Sequence, residues 1–367
     1  MFCGGIMSVL SNTLAGANVG RKQYYCVDLF KFMCALLVVS IHIPLLSSYN
    51  TLLSFGLQNC LARIAVPFFF TASGYFLFRK TSYSDFNKKV PLTYVKKIFR
   101  LYLIWTVIYF PLELKKTILS NKKGIAYGIL DLAKNFIFSG SYGQLWYLNA
   151  TIVATLIVAL CISKKMNIKT ILCLATALYV IGLMPQTYTI LLEPLKNSQA
   201  IWSVLIFLKN LIKTTRNGLF EGFLFVSIGM YFAYRPVLMK LKTAIFGFIV
   251  SLLLLLGEAF TIRYLGWAKF YDMYIFLVPS TFFMFYIAMH IELKPKAIYK
   301  HLRELSIMIF YLHILVREYV NKLLAETGTN NSMVKYCVTL LVSVIISECI
   351  IFLSHKQKIK WLKILYA

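Results

Sequence analysis

Lys31 and His42 stand eleven residues apart in the run DLFKFMCALLVVSIH, residues 28–42. At ~100° per residue that spacing returns to the same helix face, ~16 Å further along the axis. One face thus carries a cation near one end and, deeper in, an imidazole whose charge changes near neutral pH. Ionisable side chains inside apolar runs are costly and read as functional by default, with structural pairing as the rival. Asp28, three residues before Lys31, is the partner that such pairing would use. The next run, LARIAVPFFFTASGYFLFRK (61–80), opens with Arg63 and carries Pro67, which relaxes the helix, and Ser73-Gly74, which permit close helix approach. Snorkelling to the interface is the bland alternative for Arg63. Farther on, Ser306, Tyr311, His313, Arg317 and Glu318 recur within one run, with His313 seven residues after Ser306 and nearly on its face. A structural hydrogen bond accounts for His313 equally well.

The elements that must position these groups follow from composition. The 367 residues carry 39 Lys+Arg against 13 Asp+Glu, yet 59% are apolar, above the ~45–50% usual for globular domains. A nucleic-acid binder with this net charge would be polar throughout, so the basic residues must punctuate apolar stretches. Those stretches recur near the ~20 residues needed to cross a bilayer core. The expected fold is all-α: a polytopic transmembrane bundle of about ten helices, with spans near 27–46, 61–78, 98–114, 144–162, 168–184, 217–234, 243–262, 271–290, 305–324 and 333–353. Residues 124–138 place Ile125, Ile129, Leu132, Ala133 and Phe136 on one stripe, the pattern of a helix lying in the interface. Within 185–216 the segment IWSVLIFLKNLI reads as a re-entrant or interfacial helix. The eight scattered cysteines form no CxxC pair and are expected to be small helix residues, with no metal site.

Lys and Arg set the orientation. With the N-terminus inside, Arg21, Lys22, the cluster Arg79, Lys80, Lys88, Lys89, Lys96, Lys97 and Arg100, and the tail lysines all fall in the cytoplasm, and the inner side collects nearly twice the basic residues of the outer. N-in and C-in is therefore expected, against the opposing pull of Lys115, Lys116, Lys122, Lys123 and Lys134. Residues 1–23 read as a disordered tail, 24–354 as the membrane domain and 355–367 as a basic cytoplasmic tail. Arg63, Trp146, Tyr147, Arg216, Asn217, Glu221 and Glu318 reach comparable depth at the outer helix ends, where aromatics serve as interfacial anchors or sugar platforms. Glu113, Glu221, Glu258, Glu318 and Glu348 are alternatively counter-charges for Arg or Lys neighbours.

The Lys31-to-His42 spacing resembles the basic-x10-His motif of the acyltransferase 3 family of membrane O-acyltransferases, and ARIAVPFFFTASGYFL is similar to that family's second-helix signature. KKIFRLYLIW around Lys97 and Arg100, QLWYLNA (144–150), NGLFEGFLFVSIGMYFA (217–233) and LSIMIFYLHI (305–314) extend the resemblance over residues 24–353. The resemblance implies an enzyme that moves an acyl group, usually acetyl, from a cytosolic donor such as acetyl-CoA to a hydroxyl of a cell-surface glycan or lipid-linked acceptor. It implies His42 as the catalytic histidine and Lys31, Lys97 and Arg100 as donor-binding groups for CoA phosphates. Where this chain has Lys31 the family has Arg, whose bidentate phosphate contact a lysine does not reproduce. Arg63, Trp146, Glu221 and His313 are the acceptor-side or supporting candidates.

The chemistry suits the residue types, since a hydroxyl attacking a thioester needs a base and imidazole can be that base or a transient acyl carrier. No tightly bound cofactor is expected; acyl-CoA is a co-substrate. The expected partners are the bilayer, the acceptor and other surface-glycan biosynthesis proteins, with no nucleic acid, and the expected location is a bacterial cytoplasmic membrane. Transport of a small polar solute such as an amino acid is the rival reading, because intramembrane His, Arg and Glu also mark solute pathways. A similar membrane region is fused to amino-acid racemases in vancomycin-resistance proteins, where serine uptake is the proposed role. No racemase domain follows here, which weighs toward acyl transfer.

Overall fold

In the computed structural model, which describes residues 23–119 and 124–367, every regular element of those residues is helical. The expected tail 1–22, with Arg21 and Lys22, and the loop lysines Lys122 and Lys123 lie outside the described residues. The helices are α1 (Tyr25–His42), α2 (Thr51–Asn59), α3 (Ala65–Phe78), α4 (Lys89–Glu113), α5 (Ile125–Lys134), α6 (Trp146–Ser163), α7 (Ile168–Leu183), α8 (Gln199–Ile212), α9 (Phe223–Tyr234), α10 (Leu241–Leu265), α11 (Leu277–His290), α12 (Ala297–Glu326) and α13 (Ser332–His355). Each expected span falls on a helix. Five segments are long and apolar enough to cross a membrane, namely Tyr25–His42, Thr51–Phe78, Gly143–Ser163, Leu241–Leu265 and Ser332–His355. The helices Ile168–Leu183, Gly218–Tyr234 and Leu277–His290 are apolar but shorter. The expected span 271–290 becomes helical only at Leu277 because the chain between Gly266 and Phe276 is an irregular crossing, and that crossing carries Asp272 to the site.

Local chemistry sets the boundaries. α1 stops at His42 because Ile43 precedes Pro44 and is pushed into extended backbone, four residues short of the expected end. Pro67 falls in the first turn of α3, where its missing N–H needs no partner. Asn50, Asn167, Asn217 and Asn331 each accept backbone N–H bonds at a helix start, as N-cap side chains do. At the centre of the bundle α3 packs on α9, and α12 packs on α1 and α13. The α3–α9 approach needs two facing glycines: a Cβ on Gly74 would lie 2.4 Å from the Val226 carbonyl oxygen, and one on Gly229 would lie 2.1 Å from that of Thr71.

Helices on the periphery leave apolar side chains uncovered. Phe246, Ile249 and Leu253 on α10 are exposed, as are Ile201, Val204 and Phe207 on α8, the surface that a hydrocarbon solvent accepts. Of the expected stripe over 124–138, Ile125 and Ile129 are exposed, as a helix lying in the interface leaves them, while Phe136 stacks on Tyr102 and Gly128 meets the backbone of Thr117 and Ile118. The C-terminal residues fold back. Trp105 Nε1 donates to the Leu365 carbonyl at 2.9 Å, and buried Tyr366 shares a 2.6 Å hydrogen bond with Ser354.

Candidate functional site

Two cavities flank α1 and α12, one toward each end of the Lys31–His42 face. The larger, about 200 Å³, is bordered by Lys31, Lys97 and Arg303 together with Ser73, Tyr147 and Tyr366. The smaller, about 30 Å³, is bordered by His42, Arg63, Trp146, Arg216, Glu221 and Asp272. A space of that size is enough for an ordered water, and the lining is polar enough to hold one.

The three cations of the large cavity are held in different ways. Lys31 forms no ion pair among the described residues; its Nζ lies 4.7 Å from the centre of the Phe76 ring. Asp28, the partner expected for it, instead accepts from Arg303 at 3.4 Å. Helix spacing made the Asp28–Lys31 pairing plausible, but α12 packs on this end of α1 and brings a guanidinium to the carboxylate. Arg100 does not border the cavity: it is exposed, with Nη2 3.4 Å from the Ala367 carbonyl oxygen. Of the expected basic trio, Lys31 and Lys97 come together, and Arg303 supplies the third charge. Nothing in the sequence spacing around Arg303 marks it for this place.

In the small cavity, His42 ends α1 and its ring nitrogens make no hydrogen bond with the described residues, so the imidazole is available to a ligand. His313 is fully buried beside it, the ring centres 5.2 Å apart. His313 Nδ1 faces the Ile309 carbonyl at 3.0 Å, a contact that requires the proton on Nδ1, and Nε2 has no partner among the described residues. The expected structural hydrogen bond of His313 is thus present, and one nitrogen remains unused. Ser306 lies at the other cavity, its Oγ donating to the Arg303 carbonyl at 2.8 Å.

Arg63 does not snorkel. Its Nη1 donates to Asp272 Oδ1 and its Nη2 to Asn59 Oδ1 at 3.1 Å, while Arg216 Nη1 reaches the same Asp272 oxygen at 2.9 Å. Arg216 also stacks over Trp146, with the guanidinium carbon 4.7 Å from the ring centre. Burial alone would raise the Asp272 carboxyl, but the two arginines outweigh it and hold the group below the usual carboxylate range. Glu221 is 2% exposed, and its Oε2 has no hydrogen-bond partner among the described residues; neither does Gln144 Oε1, whose Nε2 donates to the Tyr311 carbonyl. Buried unpaired polar atoms are rare, and several around one cavity point to a polar ligand there. Sequence reading brought Arg63, Trp146, Arg216 and Glu221 to this depth, as found. It also placed Tyr147, Asn217 and Glu318 there. The structure puts Tyr147 on the large cavity, uses Asn217 as an N-cap and pairs Glu318 with Arg317. Glu258 accepts from Tyr188 and from the backbone N–H groups of Ile275 and Phe276 at the start of α11. Glu113 likewise accepts from the Thr117 hydroxyl, whereas Glu348 meets His301 at 2.7 Å.

Residues 24–351, and with them both cavities' helices, match the acyltransferase 3 family model, described as an acyltransferase domain. The chain belongs to the acyltransferase 3 family. It is 30% identical over 344 residues to an amino-acid racemase of Enterococcus faecalis, covering 92% of this chain and 47% of that protein. A second amino-acid racemase of the same organism is 28% identical over 348 residues, covering 93% and 47%. The serine/alanine racemase of Enterococcus gallinarum is 28% identical over 344 residues, covering 92% and 47%. This acyltransferase 3 chain spans about half the length of the curated relatives it matches. No solved structure matches it.

Proposed function

We propose that this chain is a membrane O-acyltransferase that moves an acyl group, acetyl in the first instance, from a cytosolic acyl-CoA to a hydroxyl of a cell-surface glycan or lipid-linked acceptor. The supporting observation is the pairing of a cavity rich in cations with a cavity holding an unpartnered imidazole on one helix face. Lys31, Lys97 and Arg303 offer phosphate contacts, with Arg100 outside their ring as an approach charge. The pantetheine arm then runs along α1 toward His42. His42 takes the acceptor hydroxyl proton as the oxygen adds to the thioester carbonyl; the C–S bond breaks, and the imidazolium returns the proton to the departing thiolate. The alternative order, in which His42 first carries the acyl group, uses the same geometry. Glu221, Gln144 and the Arg63–Asp272–Arg216 cluster hold the acceptor in place, a contribution that comes from orientation, and the unused Nε2 of His313 supports His42.

Ten crossings with both termini inside put the Lys31 end in the cytosol, as the distribution of Lys and Arg supports, in what would be a bacterial cytoplasmic membrane. A second reading is the transport alternative raised by the sequence, with the amino acids named in the relatives as candidate solutes: uptake of an amino acid, its carboxylate on Arg63 and Arg216 and its ammonium on Glu221. Titrating purified protein with labelled acetyl-CoA, in parallel with labelled serine uptake into proteoliposomes, separates the two. Saturable acetyl-CoA binding that weakens in Lys31→Ala supports acyl transfer; serine uptake without acetyl-CoA binding overturns it.

A further inference from the structure

We propose that Phe310 is the partition between the two cavities and thereby sets which acyl groups reach His42 and keeps water from the thioester, an inference that rests on the acyl-transfer reading above. Of the described residues bordering the two cavities, Phe310 alone borders both. It is 6% exposed. On the large-cavity side its ring meets Tyr147 edge-on at 5.4 Å and Phe69 at 6.0 Å, and both of those residues line that cavity. On the other side it leans on His313 at 6.3 Å, which in turn lies against His42.

The backbone around Phe310 is tied on both sides. The Ile309 carbonyl meets His313, and the Tyr311 carbonyl accepts from Tyr109 at 2.6 Å and from Gln144 at 3.1 Å. A path between the cavities therefore opens by turning the Phe310 ring, with α12 staying in place. The space differs sharply across the ring: about 200 Å³ on the cationic side against about 30 Å³ beside His42. A thioester carbonyl can approach His42 only if the group attached to it fits that smaller space once the ring has turned. The smaller space thereby favours a short acyl chain over a longer one. With the ring closed, water beside His42 is kept from the thioester. Without it, water oxygen adds to the carbonyl, the C–S bond breaks, and the products are the carboxylate, the CoA thiol and one proton.

The test uses the purified full chain with acetyl-, propionyl- and butyryl-CoA and no acceptor, counting free CoA by chromatography. Phe310→Leu retains apolar packing, Phe310→Ala removes it, and Phe310→Trp enlarges the barrier. Leu and Ala are expected to raise acceptor-free CoA release and to narrow the preference for acetyl over butyryl by about tenfold or more, the scale on which a pocket distinguishes methylenes. Phe310→Trp is expected to bind acetyl-CoA as the wild type does and to release less CoA. A Phe310→Leu protein that elutes and binds acetyl-CoA like the wild type, yet shows unchanged release and unchanged acyl preference, overturns the proposal alone. Wild-type protein that binds no acyl-CoA overturns the acyl-transfer reading, and the proposal with it.

Discussion

Replacing Asp272 by Asn removes the one carboxylate that accepts from both Arg63 and Arg216 and leaves the two guanidiniums facing each other. Arg63 and Asp272 are 12% and 14% exposed at the side chain, whereas Arg216 keeps 29%. Breaking a buried pair by removing one partner costs ~3–5 kcal/mol, and the partial hydration of Arg216 places this case near the lower end. Domains of ~150–250 residues lose ~2–4 °C of melting temperature per kcal/mol and larger ones less, so the expected fall is on the order of 5 °C in detergent micelles, read by intrinsic fluorescence. The sign with pH follows from the depressed Asp272 carboxyl. Its stabilisation is fully present above the unfolded carboxylate value of ~4 and fades only as pH falls through the lower folded value. The gap between wild type and variant should therefore stay constant from neutral pH down to the unfolded value and close below it. Adding Arg216→Gln to Asp272→Asn removes one unpaired charge and should restore part of the loss. An Asp272→Asn protein that melts with the wild type would refute the shared-carboxylate account.

Gly229→Ala forces a Cβ against the Thr71 carbonyl backbone and should cost ~1–3 kcal/mol, the usual range for overpacking; melting curves measure this, and an unchanged midpoint would show that α3 and α9 have room to part. Lys31→Ala should weaken acetyl-CoA binding without unfolding the chain, since Asp28 is held by Arg303, and Lys31→Arg should bind at least as well; isothermal titration with a parallel melting curve reads both. Loss of folding in both Lys31 variants would restore the Asp28 pairing as its main role.

The fold was legible where side-chain chemistry is local. Apolar run length located the helices, and the helix period put Lys31 and His42 on one face. Their assignment to opposite cavities extends that same reading. What escaped depends on distant packing. Asp272 lies 209 residues from Arg63 in an irregular crossing with no periodicity to mark it. Arg303 takes Asp28 because α12 crosses α1, a pairing 275 residues apart. Lys97 and Arg100, three residues apart, were read as one element, yet only Lys97 borders the cavity. The tail read as a basic surface segment because its lysines dominate the composition, whereas Tyr366 and the Leu365 carbonyl pack inward against Ser354 and Trp105.

The most direct test of the account compares wild-type and His42→Ala protein, each reconstituted alone in liposomes, with labelled acetyl-CoA on the Lys31 side and a glycan acceptor on the other. His42 ends α1 and makes no hydrogen bond to the described residues, so its removal should leave membrane insertion and acetyl-CoA binding intact. The account predicts labelled acceptor with the wild type and none with His42→Ala. Equal labelling by the two proteins would remove His42 from the chemistry and contradict the joining of the two cavities into one reaction centre.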